Sequence, residues 1–219
     1  MFGGQPFYLG HLGKTPVYVA PDAVLNLLLV WMICDQTLPG FIIVAMALLT
    51  VILIHEAGHA SIARLTGMYG VTIVISAFGG FCTYAGDPPP KLKLPISLAG
   101  PVANLLTAAG VWLILTQVPQ FNQLNPLIVS FAGSLLSLSL VLGLFNLLPI
   151  YPLDGGQATL AVSRMVARSD GSARRFTLSL TVAAVPAVLA IMYVLHIPIG
   201  MLTLFILAML LMSAFRDLR

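Results

Sequence analysis

Two histidines four residues apart flank a glutamate in His55-Glu56-Ala57-Gly58-His59. On an α-helix, positions i and i+4 lie about 40° apart around the axis, so both imidazoles can converge on one metal ion. Glu56, between them, can reach a metal-activated water without being a ligand. The H-E-x-x-H pattern alone also arises by chance on solvated helices. Here it ends an apolar run, Gln36 to Ile54, that contains no charged residue. An ionisable side chain at membrane depth costs about 2.5–3.5 kcal/mol even on the mild insertion scale, and such groups mark function. Glu56 is also the sole glutamate of the 219 residues. A polar cap at the end of a span would need one polar group, not two histidines around that glutamate.

Catalytic zinc takes three protein ligands and leaves a fourth position for water. The remaining histidines are poor third ligands. His11 lies outside the apolar runs, and His196 falls on the opposite membrane side in the topology below. Asp154 is the better candidate. It closes a 60-residue stretch without charge, Leu94 to Leu153, inside Pro149-Ile150-Tyr151-Pro152-Leu153-Asp154-Gly155-Gly156. Prolines end helices and glycines let backbones approach closely. Broken backbone at membrane depth is tolerated only where it is buried or lines a cavity. The alternative for Asp154 is a cap for the helix that follows.

Asn146 lies eight residues earlier. If the intervening chain were helical, it would share a face with Asp154, deeper in the bilayer. Its carboxamide could then donate to the oxyanion of a tetrahedral intermediate, or serve as an interhelical hydrogen bond. Asn104 reads as a packing residue, because Gly100 and Pro101 point to close helix approach or a kink.

These residues need a membrane to hold them. The chain is 59% hydrophobic and 8% charged, with a mean hydropathy of +1.01. Soluble domains carry roughly 25% charged residues. The 10 basic residues are scattered between apolar runs, which argues against nucleic acid as a partner. Cys34 and Cys82 lie in distant segments and support neither a disulfide framework nor a cysteine metal site. The stretch Met1 to Pro16 lacks the apolar core of a cleavable signal.

Six spans are expected at about 20 apolar residues each. They are Pro16 to Ile33 (interrupted by Asp22), Gln36 to Ile54, two in Leu94 to Leu153 divided at Gln117 to Asn125, and two in Phe176 to Phe215 divided at His196-Ile197-Pro198. With the N-terminus cytoplasmic, every Lys and Arg falls on the cytoplasmic side, as the retention of basic loops requires. Both termini and the metal ligands then lie toward the cytoplasm. Between the second and third spans, Val71 to Ile75, Gly79-Gly80 and Phe81 to Tyr84 predict a β-ribbon. The fold class expected is an all-α polytopic bundle with a small cytoplasmic-side ribbon. One membrane-embedded domain is expected over residues 1–219, and its core at 39–157 is the stretch covered by the family resemblance described next.

The His55-Glu56-Ala57-Gly58-His59 motif and Asn146-Leu147-Leu148-Pro149-Ile150-Tyr151-Pro152-Leu153-Asp154-Gly155 together resemble the paired signature of the site-2 protease family of intramembrane zinc metalloproteases. Gly100-Pro101-Val102-Ala103-Asn104 resembles a third motif of that family, and the Gly79-Gly80 ribbon sits where the family has one. The resemblance implies one Zn2+ per chain, held by His55, His59 and Asp154, with Glu56 as base. It also implies substrate or transition-state contact at Asn146, and points more weakly to Asn104. The implied reaction is hydrolysis of peptide bonds in or near transmembrane segments of membrane-protein substrates, in regulated intramembrane proteolysis. The implied partners are a transmembrane substrate and the bilayer. No PDZ or CBS domain is expected, since 219 residues leave room for neither. A metal transporter would want further ligands along a path, and the far halves of spans two to four offer no Asp, Glu or His. A catalytically inactive scaffold would not need His55, Glu56, His59 and Asp154 together.

Overall fold

The computed structural model describes residues 5–77, 79–198 and 200–219. The chain forms two compact units, Met1–Asp87 with Ala99–Leu144, and Pro88–Leu98 with Phe145–Arg219.

The first unit opens with a hairpin of β1 (Phe7–Leu12) and β2 (Thr15–Val19). Its two-residue loop is Gly13-Lys14, and Gly13 supplies the positive φ of +60° that such turns demand. A 3-10 turn over Pro21–Val24 leads into α1 (Leu25–Ile33). Thr37 then caps α2 (Leu38–Leu65), accepting the Gly40 N–H at 3.2 Å, with Pro39 fitting the first turn. The helix ends at Thr66, followed by Gly67 at φ +85°.

Strands β3 (Tyr69–Ser76) and β4 (Gly79–Ala85) form the antiparallel ribbon that Val71 to Tyr84 predicts. The sheet is larger than that ribbon, because β2 pairs in parallel with β3, Val17 opposite Ile73 and Val19 opposite Ile75. The strand order β1-β2-β3-β4 makes β3 interior and β4 an open edge. Ile73, Val71 and Ile75 are buried along one face of β3. The unit also holds α3 (Pro90–Gln117) from Ala99 onward and α4 (Pro126–Asn146) as far as Leu144.

In the second unit, α4 stops at Asn146 and regular structure resumes at α5 (Asp154–Val166). Turn hydrogen bonds hold the chain between, Ile150 N–H to Leu148 O at 2.7 Å and Leu153 N–H to Ile150 O at 2.8 Å. The Tyr151 N–H is satisfied by Thr181 Oγ1 at 3.1 Å, and the Tyr151-Pro152 peptide is cis. Then come α6 (Asp170–Val194), capped by Ser169, and α7 (Met201–Leu218). Leu160, Ala173, Ala214 and Leu218 form a buried cluster backed by Tyr151, Ala167 and Leu178.

Among the described residues, five helices are long and apolar enough to cross a membrane: α2, α3, α4, α6 and α7. The sixth expected span, Pro16 to Ile33, is not a span-length helix. Its start belongs to β2, where Val17-Tyr18-Val19 favours a strand, and helix begins only at Pro21. The apolar helical run Pro21–Ile33 is too short by itself, about 20 Å against a hydrocarbon core of about 30 Å. The chain is an integral membrane protein whose surface is mostly apolar side chains, with Trp31, Trp112 and Tyr193 all exposed.

Candidate metal centre

Helix α2 buries one stripe, Ala47, Val51, Ile52, His55, Glu56, His59, Ala60 and Ala63. The catalytic-type residues therefore sit on its inward face because of helical period alone. His55, Glu56 and His59 are all buried, at 5%, 4% and 7% exposure. The two imidazoles stand edge to face at 78°, and their Nε2 atoms are 3.2 Å apart. Two nitrogens bound tetrahedrally to zinc at 2.0–2.1 Å would be about 3.4 Å apart. The pair is thus spaced as ligands of one ion would be.

Helix α3 leaves room for these rings. A Cβ on Gly100 would lie 2.3 Å from His59 Nε2 and 2.7 Å from His55 Nε2. One on Gly58 would lie 2.5 Å from the Ala99 carbonyl. Glycine at both positions is what lets α2 and α3 come so close. The close approach read from Gly100 and Pro101 is present.

Asn104, one turn beyond Gly100, is fully buried, and its carboxamide nitrogen is 3.0 Å from His55 Nδ1. Asn104 Oδ1 is buried without a hydrogen-bond partner among the described residues. Amide oxygen and nitrogen are interchangeable in shape. An imidazole that gives its Nε2 lone pair to a metal carries its proton on Nδ1. In that state the Asn104 oxygen is the atom that must face His55, and it accepts the Nδ1–H bond. The i, i+4 spacing of Gly100 and Asn104 was the one sequence signal for this contact, since it sets both on one face of α3.

Strand β4 runs beside Glu56. A Cβ on Gly80 would lie 2.8 Å from Glu56 Cγ and 3.0 Å from Oε1. Nearby, burial and then the Glu56 charge push the Cys82 thiol up to about 12.

Asp154 is the first residue of α5, after an N-cap at Leu153 that makes no side-chain cap. One ligand atom each from His55, His59 and Asp154 lies within 4.8 Å of the others. Two imidazoles and a carboxylate with a fourth position left open is a donor set suited to catalytic zinc. Asn146 ends α4 and is half-buried. Because the chain leaves the helix between Asn146 and Asp154, the shared helix face expected of them does not exist. His11, on β1, and His196, at φ +54°, are both exposed and stand outside the cluster.

A model of peptidase family M50 matches residues 43–127 and 120–191. Several curated relatives are named as zinc metalloproteases. Rip3 of Mycobacterium tuberculosis is 35% identical over 118 residues, which is 53% of this chain and 30% of that protein. The protein sll0528 of Synechocystis is 30% identical over 167 residues, 70% of this chain and 43% of that one. In both cases the match takes in less than half of the relative's length. The solved site-2 protease from Methanocaldococcus jannaschii superposes over 98% of this chain and 96% of its own, with a TM-score of 0.64 at 18% identity. At that identity the likeness concerns the fold.

Proposed function

The chain belongs to peptidase family M50, and from that premise we propose that it hydrolyses peptide bonds in or beside transmembrane helices of other membrane proteins. The observation that carries the reading is the buried His55–His59 pair at ligand spacing, with Glu56 between them and Gly100 clearing the space in front. His55, His59 and Asp154 would hold the zinc of this family. Bound there, zinc supplies Lewis-acid polarisation of the scissile carbonyl and lowers the pKa of a water to about 7. Glu56 would accept a proton at its carboxylate from the attacking water and pass it to the leaving amine. Asn104 orients His55 through Nδ1. Asn146 is proposed, on the family resemblance, as a donor toward the oxyanion.

A helical substrate has its amides bonded internally, so it must unwind before cleavage. The open edge of β4, running past Glu56, supports docking of the unwound strand by backbone pairing. Ile73 and Ile75 do not serve this purpose, because β3 is already paired on both sides.

Orientation follows from the sheet and the charges. Strands β2 and β3 lie side by side, so the excursion from Pro21 to Leu65 leaves the sheet and returns to it. Arg64, at the end of α2, donates to Thr15 Oγ1 at 3.0 Å and binds Lys14 O, which holds that helix end at the sheet. If α2 crosses the bilayer, Pro21–Ile33 with the turn after it is the outward arm. That pairing of arms supports both termini being cytoplasmic, with the basic residues retained there. Cysteine labelling should then find a Gln123→Cys variant reactive from outside and Arg168→Cys only from inside.

The deciding experiment is metal content beside cleavage of a model transmembrane substrate. Glu56→Gln keeps its shape but cannot accept a proton, so it should keep one zinc per chain and lose about 10²–10⁴-fold in rate. His55→Ala, His59→Ala and Asp154→Ala should lose zinc as well as activity. A zinc-free Glu56→Gln protein, or Asp154→Ala protein with full zinc, would reassign the roles. A wild-type chain that held no zinc and was not rescued by it would end the peptidase reading.

A further inference from the structure

Within Pro88–Leu98 and Phe145–Arg219, a cavity of about 160 Å³ is lined by three cations, Lys93, Arg164 and Arg174. Asp217 is the one carboxylate in the lining, with Tyr151 and Gln157 as neutral polar groups. Close cations repel one another, and an anion among them offsets that repulsion. The protein supplies part of that charge. Asp170 accepts from Arg164 Nε and from Arg174 Nε, each at 2.6 Å, and so pins both guanidiniums by the same edge. Asp217 is taken up by Arg216, whose Nε donates to it at 2.8 Å. Beyond Nε, the one other protein hydrogen bond that either pinned guanidinium makes among the described residues is a long one, Arg174 Nη1 to the Asp217 main-chain oxygen at 3.4 Å. The planar ends of two fixed guanidiniums are therefore left to bind an oxyanion in fork geometry.

Tyr151 adds a neutral donor. Its hydroxyl makes no protein hydrogen bond among the described residues. Burial, with Asp217 adding to it, raises its pKa, so the phenol keeps its proton. Depth matters as well. Lys93 lies in the first turn of α3, Arg164 in the last turn of α5, Arg174 near the start of α6 and Asp217 at the end of α7. Helix ends of spans lie where lipid headgroups lie, and basic pockets there take phosphorylated headgroups.

We propose that this cavity binds a phosphate group, from an anionic phospholipid headgroup or from free phosphate, and that its occupancy steadies the segment that carries Asp154. Tyr151 and Gln157 stand three residues either side of Asp154. The Tyr151 N–H is tied to Thr181, and Gln157 Nε2 donates to Pro152 O at 3.4 Å. A phosphate held by Tyr151, Arg164 and Arg174 would therefore grip the irregular chain from Leu147 to Leu153. Binding of the phosphate does not depend on peptidase activity, so the two proposals can fail separately.

The test uses the full chain in two settings. In detergent, the thermal midpoint is followed against inorganic phosphate, with chloride at matched ionic strength as control. In phosphatidylcholine nanodiscs, the midpoint is compared with and without phosphatidic acid or phosphatidylglycerol. A saturable rise is expected from at least one source, and the source that gives it identifies the ligand. Removing a charge-assisted contact should weaken apparent affinity about tenfold or more in Arg174→Gln, and less in Tyr151→Phe. The readout is the ligand-dependent increment, so a lower starting midpoint in Arg174→Gln does not confuse it. Tyr151→Phe removes one hydroxyl and keeps the test decisive should Arg174→Gln not fold. Hydrogen exchange should slow in residues 147–157 on binding. No saturable rise from either source, or a rise undiminished in both variants, overturns the binding site. A rise without added protection in residues 147–157 overturns the link to Asp154.

Discussion

His55 and Asp154 are set in place by opposite means. His55 and His59 sit on a regular 28-residue helix, and their spacing follows from 3.6 residues per turn. Asp154 follows seven residues with no regular structure, Leu147 to Leu153, and owes its place to turn bonds and to tightly packed backbone. A ligand pair on a helix needs only room for its rings. A ligand behind a broken chain needs each contact that fixes the break. The two regions should therefore fail differently when methyl groups are added.

The largest effect is expected at the break. A Cβ on Gly155 would lie 2.3 Å from the Leu147 carbonyl oxygen and 2.4 Å from that of Leu148. One on Gly156 would lie 2.3 Å from the Tyr151 nitrogen. These are backbone atoms and cannot swing aside. Gly155→Ala and Gly156→Ala should each destabilise by about 3 kcal/mol or more, read as a lowered thermal midpoint in detergent. Gly133→Ala in α4, where a Cβ meets nothing within 4 Å, is the control. It should change stability by no more than about 1 kcal/mol, in the stabilising direction. Equal midpoints for Gly155→Ala and Gly133→Ala would remove the contrast.

Gly100→Ala comes next. The atoms it meets are the ends of two imidazole rings, which can rotate. Folding should survive, while zinc affinity falls by about a hundredfold, because ligand distances tolerate only about 0.2 Å. A chelator competition beside a thermal melt separates the two effects. A matching drop in midpoint with zinc affinity intact would mean the glycine serves packing alone.

Asn104→Leu should weaken zinc binding by about 10–100-fold, since it removes the partner that holds the His55 tautomer. Asn104→Asp, which can still accept from Nδ1–H, should recover part of that loss. If leucine and aspartate bound zinc alike, Asn104 would be a packing residue, as its sequence context suggests.

The smallest effect concerns the edge strand beside α2. Burial first, and Glu56 second, hold the Cys82 thiol protonated up to about pH 12. Thiolate is the reactive form, so alkylation of Cys82 should rise with pH and show no plateau below about pH 10. In Glu56→Gln the rate at a given pH should rise modestly. A plateau near pH 8–9 would mean that Cys82 is not desolvated against α2.

Much of this was readable in advance where local rules suffice. Helical period placed His55 and His59 about 40° apart around the axis, with Glu56 between them in sequence. The β-branched run Val71 to Ile75 before Gly79-Gly80 marked a ribbon. Hydropathy found five spans, because length and apolarity are properties of the segment itself. Of Pro16 to Ile33 only Pro21–Ile33 is helical, because apolarity runs on across a proline where strand gives way to helix. The hairpin of β1 and β2 has its own signal, Gly13-Lys14 between two strand-like runs.

What the sequence determined by itself is the chemistry available: two imidazoles at helical spacing, one glutamate, one aspartate beside prolines and glycines, and a solvent of lipid. Tertiary structure decided the rest. It alone turned Asn104 toward His55, laid β4 along Glu56, paired β2 with β3 and brought cations from the ends of three helices around one cavity. Each of these joins residues far apart in the chain, and no local period encodes such a contact. Its free energy exists only once the packed helices have excluded lipid and water from between them.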